Sequence, residues 1–155
     1  MKYLIVAFVL LVSLISCGPK VIYDHKENVI SPWDYDKPIA FDYRIEDTIM
    51  AYDLQLVVNH SADFTFENLY INATTIFPDG KKTTYPVSLQ LAHSNGEWIG
   101  DCAGDNCITK IEISSGAYYK TAGNYKLIIN QYSRNKELNG INAFEMKIIE
   151  HKNAD

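Results

Sequence analysis

The sequence is poor in the residues that enzymes and metal centres concentrate. It has three cysteines and four histidines in 155 residues. His25, His60, His93 and His151 stand far apart, at no spacing that fits a metal motif or a nucleophile and its base. There is no Gly-x-Ser-x-Gly, no His-Glu-x-x-His, no phosphate loop and no glycine-rich dinucleotide turn. Nineteen acidic residues are scattered, so spacing singles out no pair for glycoside hydrolysis. These absences argue against an enzyme and leave no catalytic residue, cofactor or metal to assign. Basic residues are also in deficit, 14 against 19 acidic, for a net charge of −5. That balance argues against a nucleic-acid partner and against a polybasic membrane patch. No window holds a 3.6-residue apolar period, which removes folds that need helical crossovers. No internal repeat and no low-complexity segment is present.

What is present begins at the first residue. Met1-Lys2 gives a short positive start, and Tyr3 to Ile15 is apolar except for Ser13. This run of 13 residues falls short of the roughly 20 that cross a bilayer as a helix. A charged start, a short apolar stretch and a small residue before a cut make a secretory signal. Leu14-Ile15-Ser16-Cys17 resembles the lipobox of bacterial lipoproteins, in which the cysteine is acylated and becomes the first mature residue. The expected division is therefore a signal peptide over 1–16, a lipid anchor at Cys17 with a tether over 17–35, a domain over 36–150 and a tail over 151–155. The expected location is the cell envelope, outside the cytoplasm, with the membrane as a partner through the lipid. The mature chain keeps 139 residues, enough for one domain with its own core.

Period-two alternation then runs through most of the chain. Ile39, Phe41, Tyr43 and Ile45 share one face, as do Tyr52, Leu54, Leu56 and Val58. Leu69 to Phe77 makes a third strand, and Pro78-Asp79-Gly80 turns it into a fourth, Thr83 to Leu91. Pro86 cannot donate to a ladder and marks that strand as an edge or a bulge. Asn95-Gly96 signals another tight turn. Gly100 to Cys107 reads as irregular loop. Further strands follow over Ile108–Ile113, Tyr125–Tyr132 and Ala143–Ile149, with a break at Ser114-Ser115-Gly116. About eight to nine short strands joined by short turns predict an all-β, antiparallel two-sheet sandwich of jelly-roll or immunoglobulin-like type. Eleven tyrosines suit half-buried strand faces.

Cys102 and Cys107 are the remaining cysteines, and in an oxidising compartment their spacing reads most simply as a small disulfide. Free thiols and a metal site are the other readings. Zinc lacks further ligands nearby, and calcium would draw on Asp101, Asp105 and Asn106. The surrounding loop, with Trp98, Gly100 and Asp105, is a candidate interaction site. There Trp98 reads first as a core anchor, and Gly100 as a residue permitting a tight loop.

Several stretches, in order, resemble one family. They are Asn59-His60-Ser61-Ala62-Asp63-Phe64 to Asn68-Leu69-Tyr70, Phe77-Pro78-Asp79-Gly80, and Leu89-Gln90-Leu91-Ala92 to Gly96-Glu97-Trp98-Ile99-Gly100. Gly104-Asp105, Gly123-Asn124-Tyr125 and Leu138-Asn139-Gly140-Ile141 complete the set. Together they resemble the GldH-type gliding-motility lipoproteins of the Bacteroidetes. The resemblance implies a non-enzymatic envelope lipoprotein, a structural or scaffolding part of the gliding apparatus. Its partners would be other envelope lipoproteins or motility proteins, with a link to type IX secretion. The alternative is a module that binds a glycan or another surface ligand. Asp47-Thr48-Ile49 resembles the short site at which Bacteroidetes glycosylate exported proteins, making Thr48 a candidate for glycosylation.

Overall fold

The computed structural model describes residues 18–152. The expected signal peptide over 1–16 and the expected lipid anchor at Cys17 lie outside the described residues. In chain order the strands are β1 (Val21–Asn28), β2 (Trp33–Asp34), β3 (Ile39–Ile45), β4 (Ala51–Ser61), β5 (Asn68–Ile76) and β6 (Lys82–Gln90). They continue with β7 (Asp101–Ala103), β8 (Asn106–Tyr118), β9 (Gly123–Gln131), β10 (Glu137–Leu138) and β11 (Ile141–Glu150). No helix occurs among the described residues. One sheet runs β1-β11-β4-β8-β7 and the other β3-β9-β5-β6. Every pairing is antiparallel. These nine strands are the two-sheet fold that the alternation predicts, and β2 with β10 adds a small third sheet.

Alternation decides which side chains meet between the sheets. Phe41, Ile45, Ile71, Leu89 and Ile129 project from one sheet, and Leu56, Val58, Phe144, Met146 and Ile148 from the other; all are buried. β6 is an edge strand, as Pro86 requires. Gly80 has φ +81 in the hairpin before it, where its N–H donates to the Phe77 carbonyl at 2.9 Å.

Three boundaries differ from the sequence reading. Residues 21–35, placed in the tether because they are charged and turn-prone, contribute β1 and Trp33. β1 keeps mostly exposed side chains and earns its place by backbone pairing to β11, over seven residue pairs from Val21↔Ile149 to Asn28↔Ala143. Trp33 is 1% exposed, tilts against Phe144 at 5.2 Å and donates from Nε1 to the Lys37 carbonyl at 2.8 Å. The break at 114–116 is instead a bulge. β8 runs through it, with the register slipping opposite Leu54 and with Gly116 at φ +61. The irregular loop over 100–107 contains β7, a three-residue partner for the start of β8.

The registers give the sandwich two distinct ends. Val21, Ile45, Ala51, Ile76, Lys82, Tyr118, Gly123 and Glu150 lie at one, where the chain enters; we call it the leader end. The far end carries the stretches 29–38, 62–67, 91–105 and 132–140, about 30 Å away along β11.

Candidate functional site

The candidate loop is part of a compact corner at the far end. Asn95-Gly96 folds 91–99 back on itself, with the His93 N–H donating to the Glu97 carbonyl at 2.8 Å and that of Ile99 to Leu91 at 2.9 Å. This lays the partly buried Trp98 ring against His60, with centroids 4.6 Å apart. His60 is fully buried on β4. Its Nδ1 donates to the Ser61 carbonyl at 3.0 Å, and the Thr109 hydroxyl donates to Nε2 at 3.3 Å. Burial pushes the His60 pKa down, opposed by the Ser61 hydrogen bond, so the ring stays neutral. Gly100 lies so close to β8 that a Cβ there would meet the Ile108 carbonyl and the Thr109 hydroxyl. Cys102 and Cys107 are directly opposite each other in the β7–β8 hairpin and form a disulfide, which rules out the free thiols. Asp105 is exposed, and its carbonyl accepts from the Ala62 N–H at 2.9 Å, joining this hairpin to 62–67. Trp98, Gly100 and Asp105 thus belong to one corner, but each acts there through packing or backbone. Among the described residues no three His, Cys, Asp or Glu side chains gather where a metal could be held.

The far end is also acidic. Its four stretches hold eight acidic and three basic side chains, which equals the net charge of the whole chain. At the leader end, 18–20, 46–50, 77–81, 119–122 and 151–152 hold three acidic and four basic ones.

A second candidate is a cleft of about 980 Å³ between the sheets, open between the edges of β6 and β8. Leu54, Leu56 and Ile113 line one wall, and Ile71, Val87 and Ile129 the other. It exists because β7 covers only the first residues of β8. Inward positions opposite are also small: Ala73, Thr75, Thr83, Ser114 and Ala117 cannot fill the roughly 10 Å between packed sheets. Tyr85 and Tyr118 stand at its mouth, 66% and 67% exposed. Its leader-end floor is a tyrosine cluster. Tyr43 stacks on Tyr125 at 5.5 Å, and Tyr119 meets both edge-on. Burial pushes the Tyr43 hydroxyl far above the usual tyrosine range.

One further cluster has the residue types of a hydrolase without its geometry. Asp53 Oδ1 accepts from Ser115 Oγ at 2.9 Å, from the Gly116 N–H at 2.8 Å and from His151 Nδ1 at 2.7 Å. Burial alone would raise the Asp53 pKa, but these hydrogen bonds outweigh it and hold the carboxyl below the usual range. Serine and histidine both donate to the same carboxylate oxygen, so this group fastens 114–116 and His151, just past β11, to β4 and activates no nucleophile.

The profile of the GldH lipoprotein family matches residues 21–148. The chain belongs to this family. It is 30% identical over 131 residues to the gliding motility lipoprotein GldH homolog of Christiangramia forsetii, covering 84% of this chain and 80% of that one. To the gliding motility lipoprotein GldH of Flavobacterium johnsoniae it is 27% identical over 133 residues, covering 85% and 82%. Neither name denotes an enzyme. Among solved structures, a match to the infectious bursal disease virus Gx strain has a TM-score of 0.39 at 14% identity. It covers 86% of this chain and 32% of that chain, and at this score it bears on nothing below.

The sequence reading missed the cleft and the burial of His60. His60 was legible in principle, since it continues the alternation of Leu54, Leu56 and Val58. The cleft depends on which small residues face one another across the sheets, which spacing within one strand does not reveal.

Proposed function

We propose that this GldH-family chain is a non-enzymatic envelope lipoprotein, acylated at Cys17, that serves as a scaffolding part of the gliding apparatus and its associated type IX secretion machinery. The observation that carries the reading is family membership across nearly the whole folded part of the chain. Two structural features support it. The Asp53 cluster, which has the residue types of a catalytic constellation, is a structural fastening. The chain enters at one end, leaving the acidic corner around Trp98, Gly100 and Asp105 to face away from the anchor. That corner would meet a protein partner of net positive charge.

The inter-sheet cleft supports a second reading, a site for an apolar ligand, because a concave apolar wall with tyrosines at its mouth is how such sites are built. One experiment separates the two. The acylated protein is captured from its native envelope and the co-purifying material analysed by mass spectrometry, with Cys17→Ala as the comparison. Recovery of motility or secretion components supports the scaffold, and recovery of an apolar small molecule alone, retained by Cys17→Ala as well, supports the cleft. Cys17→Ala is expected to abolish incorporation of labelled palmitate into the protein; label persisting on the variant would refute the lipid anchor.

A further inference from the structure

We infer that the leader end of the sandwich rests on the bilayer, with the 46–50 loop placing Ile49 and Met50 in the membrane interface. The inference rests on acylation of Cys17 and adds to it a second, direct contact between the fold and the lipid. Lys20 is already fixed to the sandwich. Its carbonyl accepts from the Glu150 N–H at 2.8 Å, and its ammonium pairs with the Glu150 carboxylate at 2.8 Å. Only Gly18 and Pro19 remain as slack. Three Cα steps from Cys17 to Lys20 reach about 10 Å when fully extended. An acylated Cys17 therefore holds this end within about 10 Å of the headgroups.

The 46–50 loop shares that end. Lys20, Val21, Asp47 and Tyr52 line one groove of about 820 Å³, so the loop stands beside the entering chain. The loop is held rigidly. Asp47 Oδ1 accepts from the Ile49 N–H at 2.7 Å and the Met50 N–H at 3.3 Å, and the Tyr52 hydroxyl donates to the Asp47 carbonyl at 2.9 Å. Held this way, Ile49 is 85% exposed and Met50 36%. Val21 and Tyr118, at the same end, are also exposed. An isoleucine presented to water by an ordered loop gains nothing from that exposure, whereas beside a bilayer it gains an apolar environment, and Tyr118, exposed at the same end, is of the residue type that favours the interface. Charge agrees with this orientation. The leader end carries a small basic excess, and the acidic excess stands at the far end, away from lipid phosphates.

The test uses the full acylated protein carrying Ile49→Trp, in vesicles of phosphatidylethanolamine and phosphatidylglycerol with brominated acyl chains. Trp33 is buried and Trp98 lies at the far end, so both serve as internal references. The added tryptophan is expected to emit at shorter wavelength than in detergent-free buffer and to lose half or more of its emission to bromine. Because Ile49 is exposed, the substitution leaves the fold intact. Protein that floats with the vesicles while the added emission stays unquenched overturns the inference and leaves the anchor standing. Protein that fails to float overturns both. A sugar found on Thr48 by intact mass of the native protein also overturns the inference, since a glycan there holds Ile49 off the membrane.

Discussion

His60 sits in the far corner as a neutral ring between Trp98 and the Thr109 hydroxyl, and burial holds its pKa below the ordinary histidine value. Above about pH 6.5 the ring is neutral whether the chain is folded or not, so it adds no pH dependence. As pH falls through that value the unfolded chain takes up a proton that the folded protein resists. Stability is therefore present above the unfolded pKa and is lost on acidification toward the lower folded one. The urea midpoint should fall between about pH 7.5 and about pH 5. The fall should be smaller in His60→Asn, which removes the titrating ring, and an equal fall in both proteins would refute the assignment. Trp33 is the other residue whose effect is large for its size. It is fully buried against Phe144, so Trp33→Ala should cost about 3–5 kcal/mol by equilibrium unfolding. The same change in a tether would cost nothing.

Among the elements, the β7–β8 hairpin depends most on a covalent bond. Its ladder has three residue pairs, and the disulfide joins the middle one. Closing so short a loop is worth about 2 kcal/mol at most. Cys102→Ser should lower stability by no more than about that and leave the circular dichroism spectrum unchanged. The β7–β8 hairpin was read as irregular loop, whereas other hairpins were legible where local chemistry decides them. Pro78-Asp79-Gly80 and Asn95-Gly96 turn where they must, and Pro86 put β6 on an edge because its missing donor has no other place in a sheet. β1 was not legible. Its residues carry charge and little alternation, and only its partner β11, more than a hundred residues later, makes it a strand. The bulge at Gly116 was misread for a related reason. A glycine at positive φ looks like an end of a strand when its neighbours across the ladder are unseen.

At the scale of the molecule, the two ends differ in charge, and that difference sets how partner binding responds to salt. An acidic far end that meets a basic partner is held partly by long-range attraction, which salt screens over about 8 Å at physiological strength. Recovery of protein partners with the acylated chain should fall as salt rises, and Asp105→Asn with Glu97→Gln should lower it at constant salt. Recovery indifferent to both would place the partner contact elsewhere. The division into leader end and far end was only half legible. The lipobox at Cys17 proposes an anchor, but the distance from that position to the fold follows from β1 beginning at Val21, a long-range pairing.

That short approach has a mechanical consequence. If Cys17 is held in lipid and a partner pulls on the far end, the load runs along the axis of β1. Its seven rungs to β11 then share the load side by side in shear and must fail together, where a strand peeled from its end would lose them one at a time. With so little slack ahead of it, the domain would behave as a stiff post of about 30 Å rather than a body on a leash, passing force between bilayer and partner with little stretch.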